Sequence, residues 1–269
     1  MNYVEIPLLN LKLIISKVAL NIFGVDIYWY AIIIASAFII ALLWCKMNLK
    51  KVDISFDDVL NLSIILIPVS LVCARIYYVL FNLKYYAAYP TKILNFRDGG
   101  LAIYGGIIGG IIVCYIYCRK HKIYILDLLD GFSPIFALGQ SIGRWGNFIN
   151  VEAYGVETNL PWKMGIIENG VMKYVHPTFL YESICTFIIF ILLSKMLDKR
   201  KFKGEITYIY LLMYSFVRFF IEGLRIDSLM LNNFRISQIL SLVIFVCISG
   251  ILIFKNYKSR NTSKNVEKS

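Results

Sequence analysis

Long apolar runs recur along the chain, separated by short polar stretches, and that alternation sets the expected architecture. Seven runs, at about 27–45, 57–81, 100–118, 124–142, 178–197, 205–224 and 234–254, each approach the ~20 residues that cross a bilayer as a helix. The fold class they predict is an all-α polytopic membrane protein, with a single transmembrane domain over 1–254. The fourth run is the most polar, carrying Asp127, Asp130, Pro134 and Gln140. A further apolar stretch, 7–22, is interrupted by Lys12 and Lys17 and is short for a span, so it reads as an interfacial helix on the outer surface. Between the fourth and fifth spans, two apolar-leaning runs, 162–167 and 171–175, flank Glu168-Asn169-Gly170. Asn-Gly in that setting signals a tight hairpin. A small extracytoplasmic head over about 143–177, containing a short β-hairpin, is therefore expected on the helical base.

Composition agrees: 59% of residues are hydrophobic, 17% are charged, and mean hydropathy is +0.68. The formal net charge of +11 suggests a nucleic-acid partner, but its distribution argues against one. The loops 46–56, 119–123 and 195–204, with the tail 255–269, hold 16 of the 28 Lys and Arg. The segments on the opposite side are about twice as long and hold fewer. The positive-inside rule then places the amino terminus outside and the carboxyl terminus in the cytoplasm. The tail is basic, polar and expected to be disordered. The amino terminus lacks the pattern of a cleavable signal peptide. All six cysteines fall within apolar spans, as small packing residues. Within GGLAIYGGIIGG (99–110), Gly99 and Gly100 are expected to unwind the helix start. The later of the two pairs spaced four apart, Gly106/Gly110, is expected to serve close helix packing.

With this topology, the unusual polar residues collect at one depth. Tyr30, Arg75, Tyr78, Tyr104, Arg144, Asn147, Asn150, Glu152, His176, Glu182, Arg218, Glu222 and Arg225 all fall near outer helix ends. Arg75 and Arg218 are basic residues enclosed by the predicted spans, several positions in from their ends, unlike Lys195 and Arg235, which lie at span edges. An arginine within a span costs about 2.5–3.5 kcal/mol on insertion scales, a cost that snorkelling to the interface would relieve. Glu222 follows Arg218 by one helical turn and can pair with it. The densest cluster is GRWGNFINVEAYG (143–155), which reads as a glycine-rich loop headed by Arg144. Guanidinium forks suit phosphate oxygens, and the anion available at that depth is a phospholipid head group.

These residues carry a resemblance. The 143–155 stretch is similar to the G-R-x-G-N-F-x-N-x-E-x-x-G signature of the prolipoprotein diacylglyceryl transferase family. HPTFLYE (176–182), GGLAIYGG (99–106), CARIYYVLF (73–81) and RFFIEGLR (218–225) support it. The resemblance implies a membrane transferase that moves the diacylglyceryl group of phosphatidylglycerol to the lipobox cysteine thiol of a prolipoprotein signal peptide. A thioether forms and glycerol phosphate leaves, as the first step of bacterial lipoprotein maturation, in the cell membrane. No metal or other cofactor is implied.

By the matching motifs, Arg144 and Arg218 would bind phosphate as catalytic residues with Tyr104 and Glu152. Tyr30, Tyr78, Asn147, Asn150, Gly155, His176, Glu222 and Arg225 would shape or line the substrate site. The chain departs from the pattern at Tyr104, where some members carry histidine, at Ala31, at Phe179, where glutamine is usual, and at Ile226-Asp227, where a proline is usual. The residues alone also admit an anion or phospholipid transporter, or a non-catalytic lipid-binding protein.

Overall fold

The structure is a computed structural model describing residues 2–95, 99–232 and 234–266, with side chains described up to Lys255 except at Leu231. Seven helices among the described residues are long and apolar enough to cross a membrane. The chain divides into two compact units, residues 1–44 with 132–269, and residues 45–131.

In the larger unit, α1 (Trp29–Asn48) and α5 (Ile125–Asn150) lie partly within its bounds. α6 (Thr178–Met196), α7 (Glu205–Leu224) and α8 (Ile236–Val266) lie wholly within them. The backbone of α8 continues to Val266, into the stretch expected to be a disordered tail; residues 267–269 lie outside the described residues.

The expected hairpin is present as β5 (Met164–Glu168) and β6 (Val171–Val175), with Asn169 and Gly170 at φ 52° and 80° in the turn. Both turn residues occupy the left-handed region that a two-residue hairpin requires. The amino-terminal segment, however, is not an interfacial helix. It forms β1 (Asn2–Ile6) and β2 (Leu11–Ile15), then a separate hairpin of β3 (Val18–Ile22) and β4 (Val25–Tyr28). Asn10, at φ 51°, ends a short turn after Pro7 and reverses the chain, and Glu5 then faces Lys12 across the strands. β-branched Val and Ile between such punctuation favour strands over a surface helix. β1 pairs with β5, so the predicted hairpin belongs to a four-stranded sheet of order β2-β1-β5-β6. Val4, Met164, Ile166 and Val175 pack under it against Phe179 of α6.

In the smaller unit, α2 (Phe56–Leu80) packs against α4 (Ile103–His121). Ser55 caps α2, accepting from the Asp58 amide at 3.0 Å. The tight approach falls at Gly105 and Gly109, not at Gly106 and Gly110. A methyl at Gly105 would strike the Cys73 carbonyl and Tyr77, and one at Gly109 the Cys73 side chain, whereas Gly106 leaves ordinary contact distances. Gly99 and Gly100, at φ 79° and 74°, precede the helix start as expected. A short helix α3 (Leu83–Ala88) follows α2.

Candidate functional site

The signature stretch is helical where a loop was expected. Residues 143–150 form the last two turns of α5, and only 151–155 leave it. Gly146 permits this, because a Cβ there would run into the ring of Tyr30 on α1. The glycine serves close packing, and helix geometry then puts Arg144 and Asn147 on one face, three residues apart. Val151 and Ala153 turn the chain back at φ 52° and 57°, a conformation that β-branched Val151 adopts only under outside constraint. That constraint includes Glu152 N donating to Asn147 O at 3.0 Å and Thr178 Oγ1 donating to the Ala153 carbonyl. Glu152 is thereby folded over the helix end, where its Oε1 accepts from Asn147 Nδ2 at 2.8 Å and Asn150 Nδ2 at 3.3 Å.

The centre of the arrangement is Glu182, one turn into α6 and 1% exposed. Its Oε1 accepts from Arg144 Nη2 at 2.5 Å and from the Tyr214 hydroxyl at 3.2 Å; its Oε2 accepts from Arg218 Nη1 at 3.1 Å. Arg144 Nη1 also donates to Asn147 Oδ1 at 3.3 Å, and Arg218 Nη2 forms an ion pair with Glu222, which is 2% exposed. A continuous polar chain therefore runs Glu152, Asn147, Arg144, Glu182, Arg218, Glu222. Both arginine side chains remain partly open, at 20% and 17%. A guanidinium carries five donors, so each keeps N–H groups for a ligand. Sequence reasoning placed Glu182 near the site but gave it no role. The usable signal was a carboxylate inside an otherwise apolar span.

Behind this network, Ser141 Oγ donates to the Ser183 carbonyl and Ser183 Oγ to the Ser141 carbonyl, both at 2.9 Å. This reciprocal clamp ties α5 to α6 within three residues of Arg144 and one of Glu182.

A second cluster is built on backbone. Gly155 N donates to His176 O at 3.0 Å, His176 N to Val156 O at 3.1 Å, and Val156 N to Leu224 O at 2.8 Å, with Gly155 bridged to Arg225. A side chain at Gly155 would collide with His176, Thr178 and the Leu224 carbonyl. Arg225 donates in a fork to Asp227, at 2.9 and 2.7 Å. Burial works against the Arg225 charge, but the hydrogen bonds and charge of Asp227 outweigh it and raise its pKa. Those same hydrogen bonds hold the Asp227 carboxyl below its ordinary range. His176 Nδ1 lies 3.2 Å from the Tyr181 hydroxyl, which accepts from Trp162 Nε1 at 2.8 Å; burial pushes the imidazole below its usual pKa.

The sequence profile of the family described as prolipoprotein diacylglyceryl transferase matches residues 17–254. The chain belongs to this family. It is 49% identical over 251 residues to the phosphatidylglycerol–prolipoprotein diacylglyceryl transferase of Clostridioides difficile, covering 93% of this chain and 98% of that protein. Proteins of the same name from Finegoldia magna and Clostridium novyi are each 46% identical, over 246 and 256 residues, covering 91% and 93% of this chain and 97% and 99% of theirs.

Among the diacylglyceryl transferase motifs, the larger unit contains Arg144, Asn147, Asn150, Glu152, Glu182, Arg218 and Glu222 in one network. Gly155, His176 and Arg225 form the adjoining backbone cluster, and Tyr30 lies against Gly146. Tyr78 and Tyr104 belong to the smaller unit. Tyr78 lies beside Gly100, and Tyr104 is exposed near the start of α4, its ring 6.4 Å from that of Tyr77. Arg75 does not snorkel. It is 4% exposed and donates to the carbonyls of Ile93 at 2.9 Å, Gly99 at 2.7 Å, Gly100 at 2.9 Å and Lys92 at 2.6 Å. This is a structural role, fastening the segment before α4 to α2. Phe179, where the resemblance led one to expect glutamine, is buried in the head core, its ring tilted against that of Phe148 at 4.7 Å. Asp227, in the stretch where the resemblance led one to expect a proline, engages Arg225.

Proposed function

We propose that this chain transfers the diacylglyceryl group of phosphatidylglycerol to the lipobox cysteine of prolipoprotein signal peptides, with its amino terminus outside and its carboxyl terminus in the cytoplasm. The observation that carries the reading is the pair Arg144 and Arg218, joined through one buried carboxylate with their guanidiniums partly open.

The thiol sulfur attacks the glycerol carbon that bears the phosphate, a carbon–sulfur bond forms, and the carbon–oxygen bond breaks. Negative charge grows on the departing phosphate oxygen. Fixed guanidiniums aimed there stabilise it with no reorganisation during the step. Arg144 and Arg218 take this role. Glu182 and Glu222 keep the two side chains extended and preorganised, and Asn147, Asn150 and Glu152 close the end of α5 over them. Gly155, His176 and Arg225 shape the adjoining wall and Tyr30 lines the substrate site, while Tyr78 is assigned to substrate contact by its motif alone.

The nucleophile is the substrate's own thiol, with an ordinary pKa of about 8.5 and already a small fraction thiolate at neutral pH. A guanidinium N–H beside the sulfur lowers that value locally, by direct hydrogen bonding to the thiolate, since the carboxylates of the network offset the arginines' longer-range field. A strong base is then unnecessary, which suits Tyr104: a phenol with an ordinary pKa near 10 hydrogen-bonds the thiol or a phosphate oxygen better than it abstracts a proton. The thiol proton leaves to solvent or to the released glycerol phosphate.

Purified protein incubated with phosphatidylglycerol and a lipobox peptide should yield a peptide heavier by one diacylglyceryl group, and Arg144→Ala should abolish that product while still inserting in the membrane. Full activity in Arg144→Ala would overturn the site. Movement of phosphatidylglycerol across vesicles without any thioether would favour a transporter.

A further inference from the structure

The carboxylates that hold Arg144 and Arg218 are buried, whereas the one that holds Arg225 is open to water. The Arg225 side chain is 12% exposed, and that of Asp227, which accepts its fork at 2.9 and 2.7 Å, is 47% exposed. Backbone fixes the arginine. Its N–H donates to the Glu222 carbonyl at 3.3 Å, Gly155 bridges to it, and the neighbouring Leu224 carbonyl accepts from Val156 N at 2.8 Å. The carboxylate can therefore give way to another anion while the guanidinium stays.

Arg225 is also the next basic residue along the chain after Arg218. Seven residues are about two helical turns, so its Cα returns to the Arg218 side of α7, roughly 10 Å further along the axis. That is toward the helix end that the proposed orientation turns outward. The two sites lie within electrostatic reach, since Asp227 feels the charge of Arg218, and Arg225 that of Glu222 and Glu182.

We propose that Asp227 is an internal stand-in for phosphate, occupying the Arg225 fork between turnovers and yielding it to the glycerol phosphate that departs from Arg218; the inference rests on the function proposed above. A carboxylate and a phosphate take the same two-point geometry on a guanidinium. An ion pair this open to water is weakly held, so exchange is easy. A phosphate monoester carries about −1.5 to −2 charge at neutral pH, against the single charge of Asp227 and of the phosphodiester in phosphatidylglycerol. The resident carboxylate lowers the affinity of Arg225 for every anion, because only the fraction of protein with a free fork can bind. The diester is thereby kept off and the product is bound only in passing. Asp227 is thus a positioning residue for product release.

Glycerol phosphate binding is measured by calorimetry on the intact protein in phosphatidylcholine nanodiscs, and its inhibition of transfer is measured alongside. Asp227→Asn should bind glycerol phosphate about tenfold tighter than wild type and be inhibited at a correspondingly lower concentration. Asp227→Glu, which restores the charge, should return both values toward wild type. In an Arg225→Gln background, Asp227→Asn should change neither. Equal or weaker glycerol phosphate binding in Asp227→Asn, or a gain that survives in Arg225→Gln, overturns the proposal.

A measurement on the unmutated chain stands apart from any folding defect. With 15N-arginine labelling, saturating glycerol phosphate should shift the Arg225 Nε signal, and a signal that does not move overturns the exchange. A wild-type protein that forms no thioether would remove the proposed function, while the binding and Nε results would still decide whether Asp227 and a phosphate monoester compete for Arg225.

Discussion

Arg144 and Arg218, on different helices, donate to different oxygens of the single carboxylate of Glu182, at 2.5 and 3.1 Å. Glu182 thus acts as a buried template for the spacing of the two guanidiniums. Removing one partner from a buried ion pair costs about 3–5 kcal/mol, because the remaining charge is left uncompensated. Glu182→Gln replaces one accepting oxygen with an NH2 that faces a guanidinium. Thioether formation should fall by about 100-fold or more, on the scale of losing an aligned electrostatic donor. Glu182→Asp keeps the charge at a shorter reach and should retain part of the activity. A Gln variant as active as wild type would show that the bridge does not position the arginines.

Gly146 and Gly143 sit one turn apart on α5 and should respond oppositely to alanine. At Gly146 the new methyl meets the Tyr30 ring, whereas at Gly143 the nearest atom, in Ile34, lies 3.7 Å away. Gly146→Ala should destabilise the protein by about 1–3 kcal/mol through overpacking and reduce transfer by displacing Tyr30. Gly143→Ala should be neutral or stabilise by up to about 1 kcal/mol, the ordinary helix gain over glycine. Thermal unfolding in detergent, with activity measured alongside, compares the two.

Arg75→Lys is not conservative. An ammonium on a flexible stem cannot serve the four carbonyls that the buried guanidinium now reaches. A fully buried acceptor left unsatisfied costs about 1–3 kcal/mol, and these half-exposed carbonyls lose less because water can reach them. The segment between α3 and α4 should loosen, and limited trypsinolysis should cut faster after Lys92 than in wild type. Unchanged cleavage would mean that the segment is held by other contacts.

His176 carries a pH signature. Burial lowers its pKa, so the folded ring takes a proton less readily than the unfolded one. Its contribution to stability is complete above the unfolded value, about 6.5, and is lost as the pH falls through the lower folded value. Asp227, held below its ordinary range, stays ionised there and adds nothing to that window. Between pH 7.5 and 5.5, wild type should lose more thermal stability than His176→Gln. An equal loss in both would assign the pH dependence to other groups.

The seven helices and the β5–β6 hairpin were legible because each depends on local pattern: apolar length for the spans, Asn-Gly for the turn. The 7–22 stretch misled because its apolar content suits an amphipathic surface helix as well as strands. Only pairing decides for strands: β2 pairs with β1, which itself pairs with β5 more than 150 residues away, and β3 pairs with β4. The 143–155 stretch misled for the opposite reason. Its glycines read as turn formers, yet Gly146 is a contact glycine whose reason is Tyr30 on another helix. Glu182 was visible as a carboxylate in an apolar span, but its hub position was not, since it depends on the azimuth of three helices at once.

Membrane character, the number of spans, the candidate phosphate ligands and the family motifs all followed from the order of residues alone, since bilayer thickness and charge cost act on each segment separately. Which arginines share a carboxylate and which one fastens backbone was decided only by tertiary structure. So was which glycines mark contacts and not turns. Those properties depend on the distances between helices, and hydropathy along a single helix carries no information about them.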